Sequence, residues 1–175
     1  AAAALAQARK ELLAARNSAG HWEGELSSSA LSTATAVCAL ALVERETGGG
    51  KGAFHPLIES GLQWLANHAN ADGGWGDTVL SVSNISTTTL CWAVFGAVPG
   101  AEEKHRAVVS KAEHWLVQRA GGIEPGKLAP AIIARYGKDR TFSVPILTMC
   151  ALAGRLGQGP DAWRHVLSLP FELAA

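Results

Sequence analysis

The chain has 175 residues, 48% of them hydrophobic, and fifteen basic residues balance fifteen acidic ones for a formal net charge of zero. That is enough apolar material for one compact domain with a real core, and too much for a disordered tail. Charges alternate within short runs such as Glu102-Glu103-Lys104, so the clustered basic surface that phosphate binding requires is missing and no nucleic-acid partner is expected.

The opening "AAAALAQARKELLAARN" carries Leu5, Ala8, Leu12, Leu13 and Ala15 at helical spacing, which predicts an amphipathic helix over residues 5–16. Arg9, Lys10 and Glu11 interrupt it before it could serve as the apolar core of a signal peptide. Gly20 ends this helix and "HWEGEL" follows as a turn. Ser27 to Ser29 then offer caps for an apolar helix from about Leu31 to Glu44. The run "ETGGGKG" at 46–52 is a linker by composition.

A second unit repeats the plan. Pro56 opens a helix through Ala66, Gly73-Gly74 is expected to close it, Trp75 lies in the turn, and Asn84 or Ser86 caps the helix "SNISTTTLCWAVFGAV". After Pro99-Gly100, residues 103–118 form a third outer helix, with Val108, Ala112, Trp115 and Leu116 on one side and Gly121-Gly122 at its end. Its partner is expected to begin near Leu128. Beyond Gly137, "TFSVPILTMCALAGRL" predicts another apolar helix opened by Pro145 or just before it. The stretch "GPDAWRHVLSLPFELAA" reads as a short helix and an apolar tail through Leu169, Pro170, Phe171 and Leu173, as expected of a domain cut from a longer chain.

Leu13, Leu65 and Leu116 end the three outer helices at intervals of 65 − 13 = 52 and 116 − 65 = 51 residues. Regular intervals of this size mark a repeat architecture. A helical hairpin cannot bury its apolar face alone, so the units, about 5–45, 54–98 and 103–136 with a further segment at 141–175, should stack with their second, nearly uncharged helices innermost. The expected class is all-α. Cys38, Cys91 and Cys150 are odd in number and sit in apolar runs, which suggests buried thiols in a reducing compartment. No stretch approaches the ~20 apolar residues of a membrane span. A soluble or peripherally attached cytoplasmic protein is expected.

The stretch "GLQWLANHANADGGWGD" at 61–77 resembles the QW motif of the squalene-hopene and oxidosqualene cyclases. Gly61, the Trp64-Leu65 pair, Gly73 and Trp75 match, while Ala69 stands where that motif has Gln. The first unit is a weaker copy, with Leu12-Leu13, Asn17 in the Gln slot, Gly20 and Trp22. The third keeps Trp115-Leu116 and then "QRAGGIE". The resemblance runs in family order over about residues 8–135 and implies an α/α-toroid, complete or incomplete as a barrel. In physical terms an amide in the Gln slot can cap a neighbouring helix while the indole covers the turn, so Ala69 predicts a weakened staple.

Those cyclases protonate a polyene with an Asp-x-Asp-Asp motif, because an alkene is so weak a base that its acid must be desolvated and well aimed. The sequence has no such motif: Asp72, Asp77, Asp139 and Asp161 are isolated. The resemblance therefore implies an amino-terminal, non-catalytic domain of a triterpene cyclase, contributing cavity wall and stability, with no cofactor. Its partner is the remaining cyclase domain, and an apolar isoprenoid substrate and peripheral membrane contact belong to the parent enzyme. A stand-alone binding module for an isoprenoid or a protein is the competing expectation, and it requires a concave apolar pocket.

Other chemistry is less well supplied. His21, His68 and His114 recur in the repeats without a carboxylate or Cys at ligand spacing, so no metal is expected. The related prenyltransferase β subunits use Asp, Cys and His on zinc, a context the three Cys here lack. Of the six tryptophans, which could in principle stabilise carbocations through their π faces, Trp92 on an inner helix is the candidate for a substrate cavity. Asp77 with Thr78 is better read as a capped turn than as a ligand.

Overall fold

The computed structural model describes residues 2–23, 28–47 and 52–168, and all regular structure among them is helical. Ser27, the glycines at 48–50 and the tail from Leu169 lie outside the described residues. The helices are α1 (Ala2–Ala14), α2 (Ala30–Glu46), α3 (His55–Asn67), α4 (Ile85–Ala97), α5 (Ala101–Lys104), α6 (Arg106–Ala120), α7 (Pro125–Tyr136), α8 (Arg140–Leu152) and α9 (Pro160–Trp163).

Helix α4 is the centre of the domain. It touches α2, α3, α5, α6 and α8, and ten of its thirteen residues, Ser86 to Phe95, are buried. A helix apolar all round has no face to offer water, so enclosure by neighbours is the arrangement that stabilises it. Each large apolar side chain it buries, Phe95 and Val94 among them, contributes about 1.5–3 kcal/mol. The expectation that α2 would be equally internal is corrected: only Ala30, Ala34, Val37 and Cys38 are buried on it, while Val43 stays 45% exposed.

The inner row is α2, α4 and α8, flanked by α3 and α6. Its regularity lies in the caps: Ser29, Asn84 and Asp139 each accept a hydrogen bond from a backbone N–H of the first turn. They stand at intervals of 84 − 29 = 55 and 139 − 84 = 55 residues. The helix that follows the third corner, α7, is thus not α4's next neighbour; it packs between α6 and α8. Helix α8 also opens five residues before Pro145, which sits inside it. Pro145 and Pro130 of α7 are exposed on their helices. The carbonyls they leave unpaired, of Thr141 and Gly126, belong to exposed residues, and water offsets the missing hydrogen bonds.

Three further expectations change. Helix α3 ends at Asn67, and Gly73, with φ +89°, closes the corner beyond it. The third outer helix breaks at His105 into α5 and α6; the imidazole is buried with its ring 5.3 Å from Phe95. Burial, then the Lys104 charge, hold the His105 pKa below its ordinary value, against the pull of Glu59. Helix α1 buries none of its residues, so its leucines, Leu5 at 72% and Leu12 at 57%, face solvent.

Candidate functional site

The corner between α3 and α4 is where the quoted stretch does its work. The Trp75 ring is fully buried, its Nε1–H donates to the Leu65 carbonyl at 3.0 Å, and its backbone N–H donates to Thr88 Oγ1 at 2.9 Å. Leu65 is itself fully buried. Trp75 thus joins the end of α3, through its indole, to the first turn of α4, through its backbone N–H, while the buried ring excludes water. Three glycines permit the approach. A Cβ on Gly73 would stand 2.9 Å from the Lys111 carbonyl oxygen of α6, one on Gly74 would stand 2.7 Å from Ser83 Cβ, and one on Gly61 would overlap the Val37 side chain of α2.

An amide stands at the very next residue after Ala69: Asn70 Nδ2 donates to the Ser81 carbonyl at 3.1 Å and to Ser83 Oγ at 2.9 Å. These bonds hold the corner's own loop, ahead of the first turn of α4. Asp72, which reads as isolated in the sequence, is the node of the corner. It accepts from Ser83 Oγ at 2.6 Å, from the Gly74 N–H at 3.1 Å and from Trp115 Nε1 at 3.0 Å. The last bond ties α6 of the third unit to the corner of the second. Trp115 and Leu116 are both buried, and Arg119 lies 5.2 Å over the Trp115 ring. Burial pushes the Asp72 carboxyl up, but the Ser83, Gly74 and Trp115 hydrogen bonds outweigh it and leave the pKa lowered.

Asp77 accepts from Thr87 Oγ1 at 2.5 Å and from Asn84 Nδ2 at 2.9 Å, bonds that lower its pKa. It steadies the Asn84 cap, in keeping with a turn aspartate. Both carboxylates have folded pKa values below their unfolded ones, so their stabilisation is complete above the unfolded value and is lost as pH falls through the folded value. Urea unfolding at pH 3 should therefore give a lower midpoint than at pH 6, and Asp72→Asn with Asp77→Asn should flatten that dependence and lower the midpoint at pH 6.

The first corner repeats the second in detail. Trp22 Nε1 donates to the Leu12 carbonyl at 2.5 Å, and Gly20 takes φ +86°. Asn17 N–H bonds the His21 carbonyl as Asn70 N–H bonds that of Gly74. The equivalent residues, Leu12 with Leu65, Asn17 with Asn70, Gly20 with Gly73 and Trp22 with Trp75, all stand 53 apart. Leu12, not Leu13, is the counterpart of Leu65, which corrects the 52-residue interval. Trp22 is 47% exposed, however, and its ring carries Arg16 at 5.6 Å. In the third corner Gly121 takes φ +76° and Ile123 fills the tryptophan slot, partly buried against the core.

Trp92, the sequence candidate for a substrate cavity, is packed within the described residues. It is 3% exposed, its Nε1–H donates to Glu113 at 3.2 Å, and the Arg155 guanidinium sits 3.9 Å over its ring. Arg155 also donates to the Trp92 carbonyl and to Glu102, and a Cβ on Gly96 would collide with it. The π face offered to a ligand in the sequence expectation is occupied by a cation of the chain itself. Trp64 is half-buried and stacks on His68 at 4.1 Å. His21 lies beside Glu23 and His114 beside Gln118, and no group of three metal-ligating side chains gathers among the described residues. Burial raises the thiol pKa of Cys38 and Cys91 and pushes that of Cys150 up to about 12, which removes all three as nucleophiles.

Trp92 is absent from the lining of each of the following grooves among the described residues. One of about 480 Å³ runs between Asn84, Trp115, Arg119 and Arg135; one of about 650 Å³ follows α1; one of about 350 Å³ lies over Asp72 and Leu80.

Hairpins joined by glycine-tryptophan corners around a buried helix define an all-α domain of the α/α-toroid class. Residues 5–150 match the family model of the squalene-hopene cyclase N-terminal domain. The chain belongs to this family. No solved structure matches it. No helix of the described residues is long and apolar enough to cross a membrane.

Sequence reasoning found the corner tryptophans and missed their polar partners. Asp72 and Asn70 carried a signal, since Asn-x-Asp-Gly-Gly is a turn sequence whose side chains bond nearby backbone. Arg155 carried none.

Proposed function

We propose that this domain is a non-catalytic part of a triterpene cyclase, contributing wall and rigidity to a cavity that it completes together with the remaining cyclase domain. The observation that carries the reading is the pair of indole bonds, Trp75 to Leu65, which closes the second hairpin, and Trp115 to Asp72, which fastens the third unit to it. The carboxylates at the corner act as hydrogen-bond acceptors with lowered pKa values. An acid able to protonate an alkene needs the opposite, a desolvated carboxyl held protonated. Polyene cyclisation then depends on an Asp-x-Asp-Asp acid outside this sequence. An apolar isoprenoid substrate and peripheral membrane contact belong to the assembled enzyme.

Incubation of the chain with squalene should yield no cyclised product by gas chromatography and mass spectrometry. The chain joined to a catalytic cyclase domain should yield one. Turnover by the chain alone overturns the reading.

A further inference from the structure

Arg119 lies in the last turn of α6 and Arg135 in the last turn of α7. Both line the groove of about 480 Å³, together with the apolar Ile85, Ala131 and Ala134. The Tyr136 and Ser86 hydroxyls share a hydrogen bond of 2.7 Å that pins the end of α7 to the first turn of α4, while Arg119 lies 5.2 Å over the Trp115 ring. Among the described residues the arginine ion pairs use Arg45, Arg155 and Arg164, which leaves Arg119 and Arg135 outside them. Their charges are felt at Asp72 and Asp77, but those carboxylates already accept from Ser83, Gly74, Trp115, Thr87 and Asn84. The forked N–H donors of two arginines thus face one groove, and an oxyanion is the group that guanidinium geometry fits best.

Ser83 lines this groove and also the neighbouring one of about 350 Å³. On that side Leu80 is 94% and Val82 86% exposed. The turn that presents Leu80 is tied down: the Ser81 N–H donates to the Thr78 carbonyl at 3.0 Å and the Leu80 N–H to Thr78 Oγ1 at 3.3 Å. Gly, Pro, Asn, Asp and Ser dominate turns, so an aliphatic pair held in water beside two arginines matches a ligand with an apolar chain and an anionic head. We infer that the two grooves form one binding site for an anionic amphiphile, with a phosphate or carboxylate head held by Arg119 and Arg135 and an aliphatic chain crossing Ser83 onto Val82 and Leu80. A neutral polyene has no head for the arginines, so this ligand is distinct from a cyclisation substrate. Nucleic acid needs an extended basic row, which a single pair does not supply.

The probe is decyl phosphate, kept below its micelle concentration. Isothermal titration calorimetry of the full chain should show saturable binding that weakens as salt is raised. Arg119→Gln with Arg135→Gln should weaken it about tenfold or more, and Leu80→Ser with Val82→Ser about threefold or more. Arg9→Gln with Lys10→Gln removes the same charge from α1 and should leave binding unchanged. The substituted positions are all exposed, so the variants should keep the helical circular dichroism of the parent. Vesicles of phosphatidylcholine with phosphatidic acid separate two sources of such a head. Co-sedimentation that the arginine variant abolishes assigns it to a bilayer lipid, whereas a chain that binds decyl phosphate yet stays in the supernatant assigns it to a single-chain molecule in solution. Absence of saturable binding, equal binding of decyl alcohol, or an arginine variant no weaker than the α1 variant overturns the inference.

Discussion

Trp75→Ala should lower the stability of the domain by about 3–5 kcal/mol, the cost of emptying a fully buried aromatic site, read as the shift in a urea midpoint at constant slope. The loss combines a large cavity at the junction of α3 and α4 with a Leu65 carbonyl left without its 3.0 Å donor. Trp75→Phe separates the two. It retains most of the apolar contact but not the N–H, and should cost about 1–3 kcal/mol, the penalty of an unsatisfied buried acceptor. The paired control is Trp22→Ala. The same bond exists there, to Leu12, but the ring is 47% exposed, so the change should stay below about 1 kcal/mol. Equal effects at the two corners would mean that burial is not what gives Trp75 its weight.

The second large effect concerns the crossing of α2 and α3. Gly61 lies within a helix, where replacement by Ala ordinarily stabilises by up to about 1 kcal/mol. Here the added methyl would overlap Val37 Cγ2, and a β-branched valine in a helix has little rotamer freedom with which to withdraw. Gly61→Ala should therefore destabilise by about 1–3 kcal/mol, as overpacking does. Val37→Ala removes the obstructing methyls, so the double variant Gly61→Ala with Val37→Ala should be more stable than the sum of the single changes implies, by at least about 1 kcal/mol in a double-mutant cycle. Strict additivity would show that the two helices separate freely at this point.

The parts of this fold legible in the sequence were those with a local physical cause. Ser29 and Asn84 were recognisable as caps because short polar side chains before an apolar run have few other uses. The Gly-x-Trp corners stood out because glycine and tryptophan are both costly to place without reason. What escaped notice depended on partners distant in the chain. Asp72 looked isolated since its third donor, Trp115, lies 43 residues away. Trp92 looked available because nothing local announces that Arg155, 63 residues on, bonds its carbonyl and covers its ring. The third inner helix was misplaced because the apolar run from Leu128 follows the third corner directly, whereas α8 is the helix that packs on α4. The regular interval is carried by three chemically different caps, serine, asparagine and aspartate, which a search for identical residues passes over. The solvent-facing position of α1 was hidden for a related reason: its stripe is that of a packed helix, and pattern alone does not say whether a neighbour is present.

The enclosure of α4 by five other helices has a kinetic counterpart. Its amide protons can meet solvent deuterium only when the surrounding helices part together, so they should exchange at the rate set by global opening and report the full unfolding free energy. Those of α1, with no covering neighbour, should exchange within its own fraying. A domain with such a gradient is stiffest along its axis and most yielding at its first helix, none of whose residues is buried.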